Sequence, residues 1–140
     1  MRQGEVDAAW ITDGLMYTLR ALATPADVLT GSYPPFVCVK CELLQQFATF
    51  RDAFCRARAE TISPEQLSGL ANVDECLAPL GGVGLCSDVP LEAEGWSRVR
   101  SEAARVLGLF SWQYAVPPVC VEVSPGHWRQ SATGSSWVKG

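Results

Sequence analysis

At Val119 the apolar period of this chain changes from 3.6 residues to 2, and that change decides the class of fold open to it. Before it, apolar residues recur at three- and four-residue spacing, the pattern of helices that bury one face. After it, Val119, Val121 and Val123 alternate with Cys120 and Glu122, the pattern of a strand. Helices and strands in separate blocks make an α+β domain, here about four helices packed on a C-terminal antiparallel hairpin or small sheet.

The helical block divides at its prolines. The spacing predicts a first helix over Glu5–Leu22, with Ala8, Ile11, Leu15, Leu19 and Leu22 along one face. A single helical turn follows, in which Thr24 is placed to cap, Pro25 to take the first helical position and Asp27 to accept in return. Gly31 to Pro35 is a break, because neither Pro34 nor Pro35 can continue a helix. A second long helix spans Val39–Glu60, and its Leu43, Phe47, Phe50 and Phe54 fall on one stripe. Ser63-Pro64-Glu65-Gln66 combines a serine cap, a proline at the first position and a glutamine at the third. That helix is expected to end near Leu80, with Gly81 in the left-handed conformation. The last helix starts after Asp88 and Pro90 and reaches Phe110, with an apolar stripe of Trp96, Val99, Ala103, Val106 or Leu107, and Phe110. Glu94, Arg98 and Glu102 on its back are spaced for i,i+4 ion pairs.

In the tail, a turn centred on Pro125-Gly126 sets Val123 opposite Trp128 and Glu122 opposite Arg129. A Pro-Gly turn is of type II, whose twist suits a hairpin less well than the primed turns do. Trp137-Val138 adds a third short strand.

With 140 residues the chain reads as one domain, 1–140, large enough to fold without a metal or a disulfide staple. Its 15 acidic and 11 basic residues give a net charge of −4, which lacks the basic footprint that nucleic acid demands. The longest uncharged stretch, Val106–Val121, is broken by Ser111, Gln113 and Pro117-Pro118 and falls short of a membrane span. Charges interrupt the N-terminal segment, so no signal peptide is read there. The expected compartment is the cytoplasm, whose reducing chemistry keeps the six cysteines as thiols.

Cys38-Val39-Lys40-Cys41 is the one spacing with a redox meaning. A helix start and a neighbouring lysine both favour a thiolate, so Cys38 would attack and Cys41 resolve. Neither Cys55, Cys76, Cys86 nor His127 forms the second short-spaced ligand pair that a structural zinc site needs, so no metal or other cofactor is expected. His127, the only histidine, sits in a turn too far along a strand from Cys120 to form a dyad with it. Gly81-Gly82-Val83-Gly84 follows a helix rather than a strand and lacks the Gly-Lys-Ser/Thr ending of a phosphate loop.

No complete catalytic set emerges, and the reading leans away from an enzyme. What remains is an aromatic surplus. Phe47, Phe50 and Phe54 form a core stripe, whereas Trp112, Tyr114, Trp128 and Trp137 flank irregular chain and carry polar edges that want partners. These residues are the candidates for an apolar pocket or a subunit interface. The expected function is a binding or interaction module, a homodimer that takes a small apolar ligand or a protein partner, with a thiol-dependent protein built on Cys38 and Cys41 as the alternative.

Overall fold

The computed structural model describes residues 3–81, 89–130, 133 and 135–139. It shows the expected α+β architecture. Helices α1 (Gln3–Leu22), α2 (Ala26–Leu29), α3 (Val39–Ala57), α4 (Pro64–Leu77) and α5 (Glu94–Leu109) precede strands β1 (Val121–Ser124), β2 (His127–Arg129) and β3 (Ser136–Val138). Helix α1 packs on both α3 and α5, and α4 lies against α5. Leu15, Leu19 and Leu22 of α1 meet Leu43, Phe47, Phe50 and Phe54 of α3 and Trp96, Val99, Ala103, Val106 and Leu107 of α5 in one core. The predicted stripes are therefore the buried ones from Leu15 onward, with Ala8, Ile11 and Phe110 only half-buried. Gly14 lets α1 approach α3: a Cβ built there would lie 2.0 Å from Cε1 of Phe50.

Helix ends follow local chemistry where that chemistry is self-contained. Ser63 accepts from the Gln66 amide at 3.0 Å and the Gln66 side chain accepts from the Ser63 amide at 3.0 Å, closing the capping box. Three other ends differ from expectation. Thr24 does not cap α2, which starts from Pro25 without a side-chain cap. Its hydroxyl instead donates to the Arg20 carbonyl at 2.7 Å and meets the Tyr114 hydroxyl at 2.9 Å, so it closes the end of α1. Helix α3 stops at Ala57, three residues before Glu60, because the chain turns at Arg58, whose carbonyl accepts from the amides of Thr61 and Ile62. After α4 a 3-10 turn, Ala78–Leu80, holds Pro79, which cannot extend the helical ladder. Gly81 leaves it extended (φ −150°) rather than left-handed, and its missing Cβ makes room for Leu44.

On α5, Glu102 pairs with Arg105 at i,i+3 in place of the expected Glu94–Arg98–Glu102 series. Two guanidinium nitrogens of Arg105 reach one Glu102 oxygen, and this contact holds the Glu102 carboxyl below its usual range. Helix α5 ends in a Schellman motif: the Trp112 amide donates to the Leu107 carbonyl and the Ser111 amide to that of Gly108. Ser111 takes the left-handed position (φ 58°) that glycine usually fills.

The sheet is antiparallel in the order β1-β2-β3. Ser124 faces His127 across Pro125-Gly126, and Gly126 has φ 75°, so the turn is where it was expected. Beyond it the pairing is one residue out: Glu122, not Val123, faces Trp128, and Val121, not Glu122, faces Arg129. A bulge between Glu122 and Ser124 absorbs the mismatch between the turn and the strand twist. Trp137 of β3 pairs with Trp128 of β2.

This sheet docks on the helices through polar groups as much as through apolar ones. Gln46 is buried within the aromatic stripe of α3. It accepts from the Tyr33 hydroxyl at 2.8 Å and donates to the Gln130 side chain at 2.9 Å and to Ser135 at 3.2 Å. Gln130 in turn donates to the Ser32 carbonyl at 3.0 Å and accepts from Thr133 at 2.6 Å. Trp137 meets Tyr33 edge to face, with ring centroids 6.0 Å apart. Buried amides satisfied in this way fix one arrangement of the tail.

Candidate functional site

The predicted aromatic residues occupy four separate places. Phe47 and Phe50 are fully committed to the core. Phe54, also buried, meets Phe110 and Trp112 edge to face, and the latter two stack at 4.4 Å. With Thr12, Arg58 and Gln66 these rings line a small hollow of about 250 Å³ at the end of α3. The Arg58 guanidinium stands 6.0 Å from the Phe54 ring centre, which fills part of that space with the protein's own cation. Trp128 and Trp137 belong to the sheet. Tyr114 is exposed in the extended stretch before it, tied to Thr24 by its hydroxyl.

Cys38 is the N-cap residue of α3 and Cys41 lies in its first turn, both half-buried. The Lys40 ammonium donates to the Val89 carbonyl at 3.1 Å. Cys86 and the Gly82-Val83-Gly84 part of the glycine cluster lie outside the described residues. Burial raises the thiols of Cys55 and Cys120 above their ordinary range. Among the described residues no three His, Cys, Asp or Glu side chains gather as a metal site. His127 is half-buried on β2.

An apolar cleft lies elsewhere, between α1 and the extended segment 113–119. It holds about 450 Å³ and is lined by Trp10, Asp13, Met16, Tyr17, Arg20, Val116, Pro117 and Pro118. A larger groove of about 550 Å³ between α4 and α5 is shallower, and its Glu102 and Arg105 charges are spent on each other.

Sequence and packing explain how the cleft forms. Trp10, Asp13, Tyr17 and Arg20 are spaced by three and four residues, so they share one face of α1. Arg20 Nε donates to the Gln113 carbonyl at 2.8 Å and Thr24 holds Tyr114, which together pin the start of the segment to α1. Pro117 and Pro118 then keep it extended, and the Ser32 hydroxyl donates to the Pro117 carbonyl at 3.4 Å. Trp10 is 46% exposed at the other end of the cleft, its ring braced edge to face against Phe50 at 4.9 Å. The Tyr17 hydroxyl is buried beside Tyr33 yet makes no hydrogen bond of acceptable geometry among the described residues. Burial drives the pKa of both phenols well above the ordinary value.

The result is an apolar trough with one acid and one base in its wall. The sequence carried a signal for half of it, in the second periodic face of α1. The other half, the proline segment laid against that face, has no local signal. Among the described residues no helix is long and apolar enough to cross a membrane. No family model, curated protein or solved structure matches the chain.

Proposed function

We propose that this chain is a non-enzymatic binding module whose ligand, with an apolar or partly aromatic body, lies in the cleft between α1 and residues 116–118. The observation that carries this reading is the lining: Trp10, Met16, Tyr17, Val116, Pro117 and Pro118 around about 450 Å³. That volume falls in the range of small-molecule sites, and apolar walls with a few polar groups are their usual make-up. The wall is fixed before a ligand arrives, because Gln113 and Tyr114 are already bonded to α1. The test is a titration with the neutral fluorophore N-phenyl-1-naphthylamine. It is expected to bind saturably to the natural chain and at least about tenfold more weakly to Val116→Asp, which places a carboxylate in the trough. Val116 is 60% exposed, so its replacement leaves the core alone. Equal binding to both proteins, or none to either, would remove the reading.

Self-association is the second reading, and a different observation favours it. β1 is an edge strand, and its Val121 and Val123, with Val119 two residues before it, are all at least 49% exposed. An apolar edge with unpaired backbone groups suits strand-to-strand pairing with a second copy or with a partner protein. A homodimer lost on Val121→Lys, read by sedimentation velocity, would support it, and a monomeric natural chain would end it. The cytoplasm is the setting consistent with Cys55, Cys76 and Cys120 standing as unbridged thiols.

A further inference from the structure

The cleft carries opposite charges at its two ends. Asp13 lies three residues beyond Trp10 on the same face of α1, so a carboxylate stands beside an exposed indole ring. A carboxylate and an aromatic face together make a receptor for an ammonium group. Arg20 lies seven residues further on, two helical turns away and about 10 Å along the axis. Gln113 holds it by Nε alone, which leaves the donors of the terminal guanidinium nitrogens for a carboxylate. Among the described residues neither Asp13 nor Arg20 has an ion-pair partner. Between them the walls are apolar: Met16, Val116, Pro117, Pro118 and the ring of Tyr17.

From this arrangement we infer that the ligand is a zwitterion with an apolar body, its ammonium at Asp13 and Trp10 and its carboxylate at Arg20, about 10 Å apart. An extended chain covers about 3.3–3.6 Å per residue, so a free tripeptide has this span from amino to carboxyl terminus. A straight ω-amino acid of equal length presents the same two groups. The inference rests on the reading of the cleft as a ligand site and adds the chemistry and the orientation of what binds there.

The probes are the tripeptide Ala-Leu-Ala with free ends, its N-acetyl and C-amide forms, and 8-aminooctanoic acid, each displacing N-phenyl-1-naphthylamine. The free tripeptide is expected to compete, and blocking either end to weaken it about fivefold or more, the scale of one partly exposed ion pair. Asp13→Asn should abolish the effect of acetylation and leave that of amidation, and Arg20→Gln should do the reverse. This crossed pattern is one that a loss of folding cannot produce. Competition by 8-aminooctanoic acid at similar strength would assign recognition to the charges and their spacing, and its failure would assign it to the peptide. If the blocked peptides compete as well as the free one, or if no zwitterion competes while the fluorophore still distinguishes Val116→Asp, the zwitterion inference is overturned and the cleft stands. If the fluorophore does not distinguish Val116→Asp, both fall.

Discussion

Replacing Gly14 by alanine sets two effects of known size against each other. Alanine in a helix interior is favoured over glycine by about 0.5–1 kcal/mol, from backbone entropy alone. At Gly14 the new methyl would lie 2.0 Å from Cε1, 2.3 Å from Cδ1 and 2.5 Å from Cζ of Phe50. Ordinary contact begins at 3.4 Å, so the ring must retreat by about 1.4 Å. Phe50 is buried and braced against Trp10, so the retreat disturbs the α1–α3 seam as well as one side chain. Overpacking costs typically about 1–3 kcal/mol, and an overlap with three ring carbons of a buried side chain belongs at about 2–3 kcal/mol, which outweighs the propensity gain and leaves a net loss of about 1–2.5 kcal/mol. Gly108 is the control. It is exposed on α5 with nothing within 4 Å of an added Cβ, so Gly108→Ala should gain about 0.5–1 kcal/mol. Urea unfolding followed by circular dichroism should move the two midpoints in opposite directions at equal slope. Combining Gly14→Ala with Phe50→Leu should cost less than the two changes added, since the smaller side chain vacates the contested space. A Gly14→Ala protein as stable as the natural one would refute the close packing of α1 on α3.

Ser111→Gly should stabilise by about 0.5–1 kcal/mol, because it relieves a left-handed residue at the end of α5 and gives back part of that gain in the unfolded chain; the check is the same urea midpoint. Alkylation with iodoacetamide at neutral pH, mapped by mass spectrometry, should leave Cys55 and Cys120 among the slowest thiols, since burial raises both. Rapid, selective modification of Cys38 or Cys41 in the same experiment would favour the thiol-dependent alternative. Tyr17, Tyr33 and Cys120 all have raised pKa values in the fold, so folding favours their neutral forms. Their contribution is complete below the ordinary thiol and phenol values of 9.0 and 10.0 and is lost as pH rises past them, so melting temperatures should fall from about pH 9 upward. A melting temperature unchanged to pH 11 would contradict the burial of these groups.

Features set by neighbours in sequence were legible before the structure. The Ser63 capping box, the Pro125-Gly126 turn and the α3 stripe each depend on residues within one or two turns of each other. What failed to read through depended on distant chain. The register of β1 slipped by one because strand twist, not residue pairing, decides where a bulge falls. Thr24 looked like a cap because Tyr114, ninety residues on, leaves no trace in the local pattern. Gln46 carries no signal in the helical pattern, since its partners Gln130 and Ser135 lie beyond the change of period. The cleft suffered the same way. The aromatic surplus was visible, but Trp112, Tyr114, Trp128 and Trp137 went to different sites, while the smaller Val116-Pro117-Pro118 completed the trough beside Trp10.

The amide ties between tail and helices also bear on the order in which the molecule assembles. Gln46 and Gln130 are separated by 84 residues, and Ser32 and Gln130 by 98. Loops of that length close slowly, and nothing rewards their closure until both ends are shaped to receive each other. The hairpin forms from adjacent residues, and helix α3 can gather its phenylalanines without the tail. Contacts of such long range are expected to form late, so swapping either glutamine for alanine should chiefly speed unfolding and leave the collapse of the helices at its natural rate.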